Sequence, residues 1–153
     1  MQQTVNTDLI LKTKGETMEI PKYRAWVTGT ENVMYQPREA WINNGEVWLS
    51  NAKGWPEKKV AADKVLLSRA TGCKDQNGVE IFEGDILKIN DTYAEVDYDG
   101  SCFLVSFIEK IQENQVDNTY LVILTVKELV EDYKVTVIGN VYANPELKEL
   151  AKG

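Results

Sequence analysis

The sequence predicts a mainly β chain made of two lobes, a small N-terminal β lobe and a C-terminal partial barrel with one short helix. Three observations predict it. Apolar and polar residues alternate with a period of two along most of the chain. The pairs Asn44-Gly45, Asn77-Gly78 and Asp99-Gly100 interrupt the alternating runs, and such pairs supply the positive φ that tight hairpin turns demand. One helix-start pattern, Thr125-Val126-Lys127-Glu128, falls between the last two strand-like runs.

The elements follow in order. Residues 1–17 read as an N-terminal extension, expected to be poorly ordered. The first lobe covers 18–64. Lys22 to Thr28 alternates, with Tyr23, Ala25 and Val27 on one face and Arg24 and Trp26 on the other. A short strand is expected at Val33–Gln36, then a hairpin of Ala40–Asn43 and Glu46–Ser50 around Asn44-Gly45. Residues 51–64 break the pattern and read as a loop with a helical turn near its end. All four tryptophans, Trp26, Trp41, Trp48 and Trp55, precede residue 56.

The second lobe covers 65–144. Val65–Ala70 is strand-like, Lys74 to Gly78 is a turn, and Gly84-Asp85 opens a strand that runs to Asn90. Thr92–Asp97 and Cys102–Ile108 flank the turn at Asp99-Gly100. Tyr120–Thr125 is a continuous apolar run, which predicts burial on both faces. The Thr125/Glu128 capping box starts a helix of about two turns ending near Asp132, and Tyr133–Tyr142 is the closing strand. Residues 145–153 form a short helical tail, with Asn144 as N-cap and Pro145 at the first helical position. A strand opened by Gly-Asp, two hairpin-linked strands, another strand, a short helical turn and a closing strand is the order of an SH3-like barrel.

Composition narrows the chemistry. The chain of 153 residues has no histidine, which removes imidazole bases, Ser-His and Cys-His nucleophile pairs and His metal ligands. Its net charge of −7 argues against general affinity for nucleic acid. Residues 1–60 hold 8 basic and 7 acidic side chains, and residues 61–153 hold 9 and 17, so the excess acid lies in the second lobe. Two cysteines, Cys73 and Cys102, outside any Cys-x-x-Cys, are expected as small buried apolar groups in a reducing compartment. No run has the length of a membrane helix and the start does not read as a signal peptide, so a cytoplasmic protein is expected.

Candidate sites are few. Asp75 and Asn77 begin like a calcium loop, but Gly78 falls too early and no twelfth-position acid follows, so an Asx turn is expected. Glu83 and Asp85 flank Gly84 and would project to one side of an extended chain, the pattern of a carboxylate or Mg²⁺ site; carboxylates entering a strand more often cap backbone amides. Arg24, Trp26, Trp41 and Trp48 make a candidate interaction surface, with stacking on single-stranded nucleic acid as one use. No catalytic residue, metal ligand or cofactor is assigned.

Three blocks carry a resemblance. They are Ile20 to Trp26, containing Pro21, Lys22, Arg24 and Trp26; Ser68 to Leu87, containing Gly72, Asp75, Asn77, Gly78, Glu83, Gly84 and Asp85; and Val137 to Leu147, containing Gly139, Asn140, Asn144 and Pro145. In this order the chain resembles the YopX family of phage and prophage proteins. One departure is that Met18-Glu19-Ile20-Pro21-Lys22, where the family pattern begins, follows seventeen further residues, which makes Met18 an alternative start. The resemblance implies a self-associating β protein of the bacterial host cytoplasm and no particular activity. The matched residues read as fold determinants. The expectation is a non-enzymatic interaction and assembly module, a homo-oligomer engaging a host or phage protein and no membrane; the alternative is a nucleic-acid-binding accessory of phage replication or transcription.

Overall fold

The computed structural model describes residues 21–29, 31–50 and 58–152; the extension 1–17, Met18, Trp55 and the first half of the 51–64 loop lie outside the described residues. The first lobe contributes β1 (Tyr23–Val27), β2 (Val33–Tyr35), β3 (Ala40–Asn43), β4 (Glu46–Leu49) and β5 (Lys58–Val60). A 3₁₀ turn at Ala62–Lys64 leads into β6 (Val65–Lys74) and β7 (Glu80–Phe82). The barrel follows as β8 (Asp85–Ile89), β9 (Thr92–Glu95), β10 (Asp97–Tyr98), β11 (Phe103–Glu113), β12 (Val116–Thr125), helix α1 (Val126–Asp132) and β13 (Val135–Asn140), with a final helix α2 (Leu147–Ala151).

The fold is mainly β, as the alternation predicts. The sheets run β2-β1-β6-β7, β3-β4-β5, β13-β8-β9 and β10-β11-β12. Only Val96 separates β9 from β10, so the last two sheets read as one curled ribbon, β13-β8-β9/β10-β11-β12, with α1 bridging β12 to β13. That is the SH3-like order. Its core holds Ile81, Leu87, Ile89, Val105, Phe107, Leu129 and Val135, each worth about 1.5–3 kcal/mol of burial. A second, smaller core of Ala25, Val27, Ala40, Val47 and Leu49 fills the first lobe. The 64/65 boundary is spanned by an antiparallel ladder, from Tyr23 opposite Arg69 to Val27 opposite Val65. β6 therefore belongs to both lobes.

Local signals explain the joints. Asn44 and Gly45 both take positive φ, the type I′ geometry expected there. Thr125 Oγ1 accepts from the Glu128 amide while Glu128 reaches back to the Thr125 amide, closing the capping box.

Four local expectations are corrected. Lys58–Val60, inside the expected loop, is a strand because it completes the free edge of β4. Asn144 caps no helix: α2 begins at Leu147, and the Asn144 Oδ1 accepts from the Asn140 amide, 3.3 Å away, fastening a turn. Both cysteines are half-buried; Cys73 packs against the barrel core, while Cys102 sits in the Asp99 turn and its amide donates to Asp99 Oδ1. The largest correction is β12. Only its Val122 and Leu124 face packs on the core, and Leu121 and Ile123 on the other face are 64% and 58% exposed.

Candidate functional site

The three sequence blocks converge. Arg24, buried on β1, ion-pairs through its Nη2 with Asp85 Oδ1 at the start of β8, and its Nε donates to Ser68 Oγ on β6 at 3.2 Å. Ser68 Oγ donates onward to the Glu83 carbonyl at 2.6 Å, and Asp85 Oδ2 accepts from the Phe82 amide at 2.8 Å. The guanidinium lies over the Phe82 ring, 4.5 Å from its centroid. Burial pushes the Asp85 carboxyl up, and it prevails over the opposing pull of Arg24 and the Phe82 amide. Each of these polar atoms points inward. The cluster interlocks the first lobe with the barrel.

Glu83 and Asp85 do not share a side. Gly84 between them takes φ +85°, so the chain turns; Glu83 pairs outward with Arg69 at 3.0 Å, while Asp85 is buried. A Cβ on Gly84 would meet Tyr142 at 2.7 Å, so the third block also closes on this turn. Tyr142 stacks on Trp26 with ring centroids 6.5 Å apart. Gly139 is confined in the same way, with Asn144 Oδ1 and Leu147 Cδ1 each 2.6 Å from a built Cβ. Asn140 Oδ1 accepts from the Tyr142 and Ala143 amides.

Asp75 is a second internal hub. Its Oδ1 accepts from Asn77 and Val79, forming the Asx turn, and its Oδ2 reaches across to the Val137 amide at 3.0 Å. Burial opposes its ionisation, but the Val137, Val79 and Asn77 amides outweigh it and hold the carboxyl below its usual value. Gly78 follows with φ +81°, and Gly72, at φ +84°, sits in the irregularity where β6 slips register against β7. Pro21 and Lys22 are exposed, Lys22 pairing with Glu80 at 3.2 Å. Pro145 is exposed too, its carbonyl accepting from the Lys148 amide. Among the described residues no three cysteine or carboxylate side chains gather as a metal ion would require, and no described helix is long and apolar enough to cross a membrane.

The four residues of the expected interaction surface do not share one face. Arg24 is buried in its ion pair and Trp26 is half-buried against Tyr142. Trp41 and Trp48 are direct cross-strand register partners on β3 and β4, with Lys59 opposite Trp48 on β5. Trp41 is 37% exposed. The Trp48 indole nitrogen is buried with no hydrogen-bond partner.

Two surfaces escaped the sequence reading. A cleft of about 370 Å³ lies between the lobes, lined among others by Tyr23, Arg69, Tyr98 and Phe103, with the Arg69 guanidinium 4.4 Å from the Tyr98 ring centroid. The other is the β11–β12 hairpin. The register sets Ile108 opposite Leu121 and Ser106 opposite Ile123, so by strand alternation these share the face turned away from the core. Farther along, Ile111, Val116 and Tyr120 are exposed on the other face, past the end of the core. The continuous apolar run YLVILT was the available signal; it reads equally as a strand buried on both faces, and only the packing over each face distinguishes the two.

Comparison with known proteins places these observations. A family model described as "YopX protein" matches residues 22–149, which contain the Arg24–Asp85 pair, the Asp75 hub and the Gly139–Asn144 turn. A search of curated proteins finds no match. Among solved structures, protein EF1440 from Enterococcus faecalis aligns with a TM-score of 0.53 and 24% sequence identity, covering 85% of this chain and 99% of that one. At that identity the likeness concerns the fold.

Proposed function

The chain belongs to the YopX family, and from that premise we propose that it is a phage- or prophage-encoded, non-enzymatic interaction and assembly module of the bacterial cytoplasm. The observation that carries this reading is the β11–β12 hairpin, with Leu121, Ile123, Val116, Tyr120 and Ile111 exposed at 64%, 58%, 58%, 43% and 38%. Leu121 and Ile123 share the face turned away from the core, and Ile111, Val116 and Tyr120 lie on the opposite face past the end of the core, so the hairpin bares apolar side chains on both faces, the kind of exposure that marks interaction sites. The inward-facing chemistry of the motif residues supports the same reading: Arg24, Asp85, Asp75 and Ser68 spend their donors and acceptors on the fold. The test is capture from lysate of infected host cells by the immobilised full chain. Wild type should retain a partner, its own chain included, that Leu121→Lys and Ile123→Lys lose; equal retention by all three removes the hairpin from the function.

A second reading, nucleic-acid binding, rests on the Trp41–Trp48 pair beside Lys59, a combination of ring faces and positive charge suited to single strands. Lys58 and Lys59 are engaged by Glu31 and Glu46, and the chain is acidic, so it stands second. Probe retardation at about 50 mM salt that weakens steeply as salt rises would favour it, and no retardation at that salt ends it.

A further inference from the structure

We propose that β12 is the contact strand of a homodimer: its free edge pairs antiparallel with β12 of a second copy about a two-fold axis near Leu121. The proposal rests on the interaction-module reading and names its partner.

Four observations converge on this edge. Among the described residues β12 ends the order β10-β11-β12, so its outer N–H and C=O groups meet no further strand. Sheet edges of this kind are normally blunted by lysine, proline, a bulge or brevity. β12 has none of these: ten residues long, it pairs with β11 in unbroken register from Leu104–Thr125 to Glu113–Val116, and Asn118 to Thr125 contains neither charge nor proline. The run Tyr120-Leu121-Val122-Ile123-Leu124-Thr125 combines high strand preference with low charge, the composition of a segment that pairs with whatever strand it meets.

The occupant is a second copy for three reasons. A chain of net charge −7 resists meeting itself through most of its surface. An antiparallel pairing centred on Leu121 avoids that repulsion, because Thr119 then faces Ile123 and Asp117 faces Thr125, so no like charges are opposed. Two-fold pairing is also closed, since each copy consumes the other's edge and growth stops at two through this surface. Finally, the two-fold register sets Leu121, the most exposed apolar side chain of the hairpin at 64%, directly beside the Leu121 of the second copy, an apolar cross-strand neighbour that the single chain lacks. Pairing also supports the outer hairpin, whose residues beyond the core otherwise rest on two strands alone.

The experiment is sedimentation velocity on the full chain from about 5 to 500 µM, combined with hydrogen exchange at both ends of that range. A dimer is expected, with β12 amides gaining protection as concentration rises and with at least tenfold weaker association in Leu121→Lys and Ile123→Lys. Leu121→Thr, which keeps strand preference and removes apolar surface, should weaken it in the same direction; unchanged far-UV circular dichroism identifies variants that still fold. Protein that stays monomeric at about 500 µM overturns the proposal, as does a dimer indifferent to all three substitutions. A dimer weakened by them without concentration-dependent protection of β12 also overturns strand pairing, in favour of face-to-face stacking. If the wild type is monomeric yet captures a partner that Leu121→Lys loses, the dimer falls and the interaction module stands; if both results fail, both readings fall.

Discussion

Arg24 and Asp85, 61 residues apart, carry much of the meaning of the shared motifs. Burying two charges is costly, and the cost is recovered only when the remaining donors and acceptors find partners; here Ser68, the Phe82 amide and the Phe82 ring supply them. Removing one partner exposes that cost. Arg24→Ala should destabilise the protein by about 3–5 kcal/mol at neutral pH, read from denaturant unfolding. Its pH dependence has a definite sign. Burial raises the folded-state value of Asp85, so its contribution is fully present below the unfolded value and declines as pH rises through the folded one. Without Arg24 that value rises further, so the decline begins at the same unfolded value but continues to higher pH and goes deeper. The gap between variant and wild type should therefore shrink as pH falls toward 4; a gap independent of pH would show that Asp85 is not the group left unpaired. At the next turn, Gly84 shows a different residue-scale constraint, with φ +85° and Tyr142 occupying the place of any Cβ. Gly84→Ala should cost more than the roughly 1–2 kcal/mol of left-handed backbone alone, since the tyrosine must also move off Trp26; thermal unfolding measures it.

Among the elements, the β11–β12 hairpin is the one whose length the sequence did not announce. Cys102–Ile108 and Tyr120–Thr125 were legible as strands, but the residues between them are polar and mixed. The structure extends both strands to a two-residue turn at Asn114-Gln115, with φ of 51° and 66°. Such a turn favours Asn-Gly, and Gln at the second position lacks glycine's freedom there. Gln115→Gly should thus stabilise the hairpin, by up to about 1 kcal/mol. Amide exchange near the tip reports it as slower opening of β11 and β12, and unchanged or faster exchange would contradict the turn geometry. Helix α1 lies at the opposite extreme. Its capping box was readable from four residues because both hydrogen bonds are local, between Thr125 and Glu128.

At the scale of the molecule, two hydrophobic cores share β6 and are locked by the Arg24 cluster. Shared strands couple lobes, so one cooperative unfolding transition is expected. Tryptophan fluorescence reports the first lobe, because all four tryptophans precede residue 56, whereas far-UV circular dichroism reports both. Coincident denaturant curves would establish the coupling, and separated midpoints would show lobes that unfold independently.

Local chemistry was fixed by the chain itself. Alternation, Asn44-Gly45 and the Thr125 capping box act within a few residues, and they determined a mainly β fold, most strand positions and the SH3-like order; the ordered blocks determined the family. What the sequence could not hold was which strand lies at an edge and which polar groups meet across the fold. YLVILT is the same string of residues buried or bare, and its exposure follows from which elements pack over its two faces, a property of contacts far apart in the chain. Likewise Glu83 and Asp85 look like a pair in sequence and are separated by one positive φ and by an arginine 61 residues from the aspartate. Tertiary structure decided both, because burial and electrostatic partnership depend on distances in space that residue spacing does not encode.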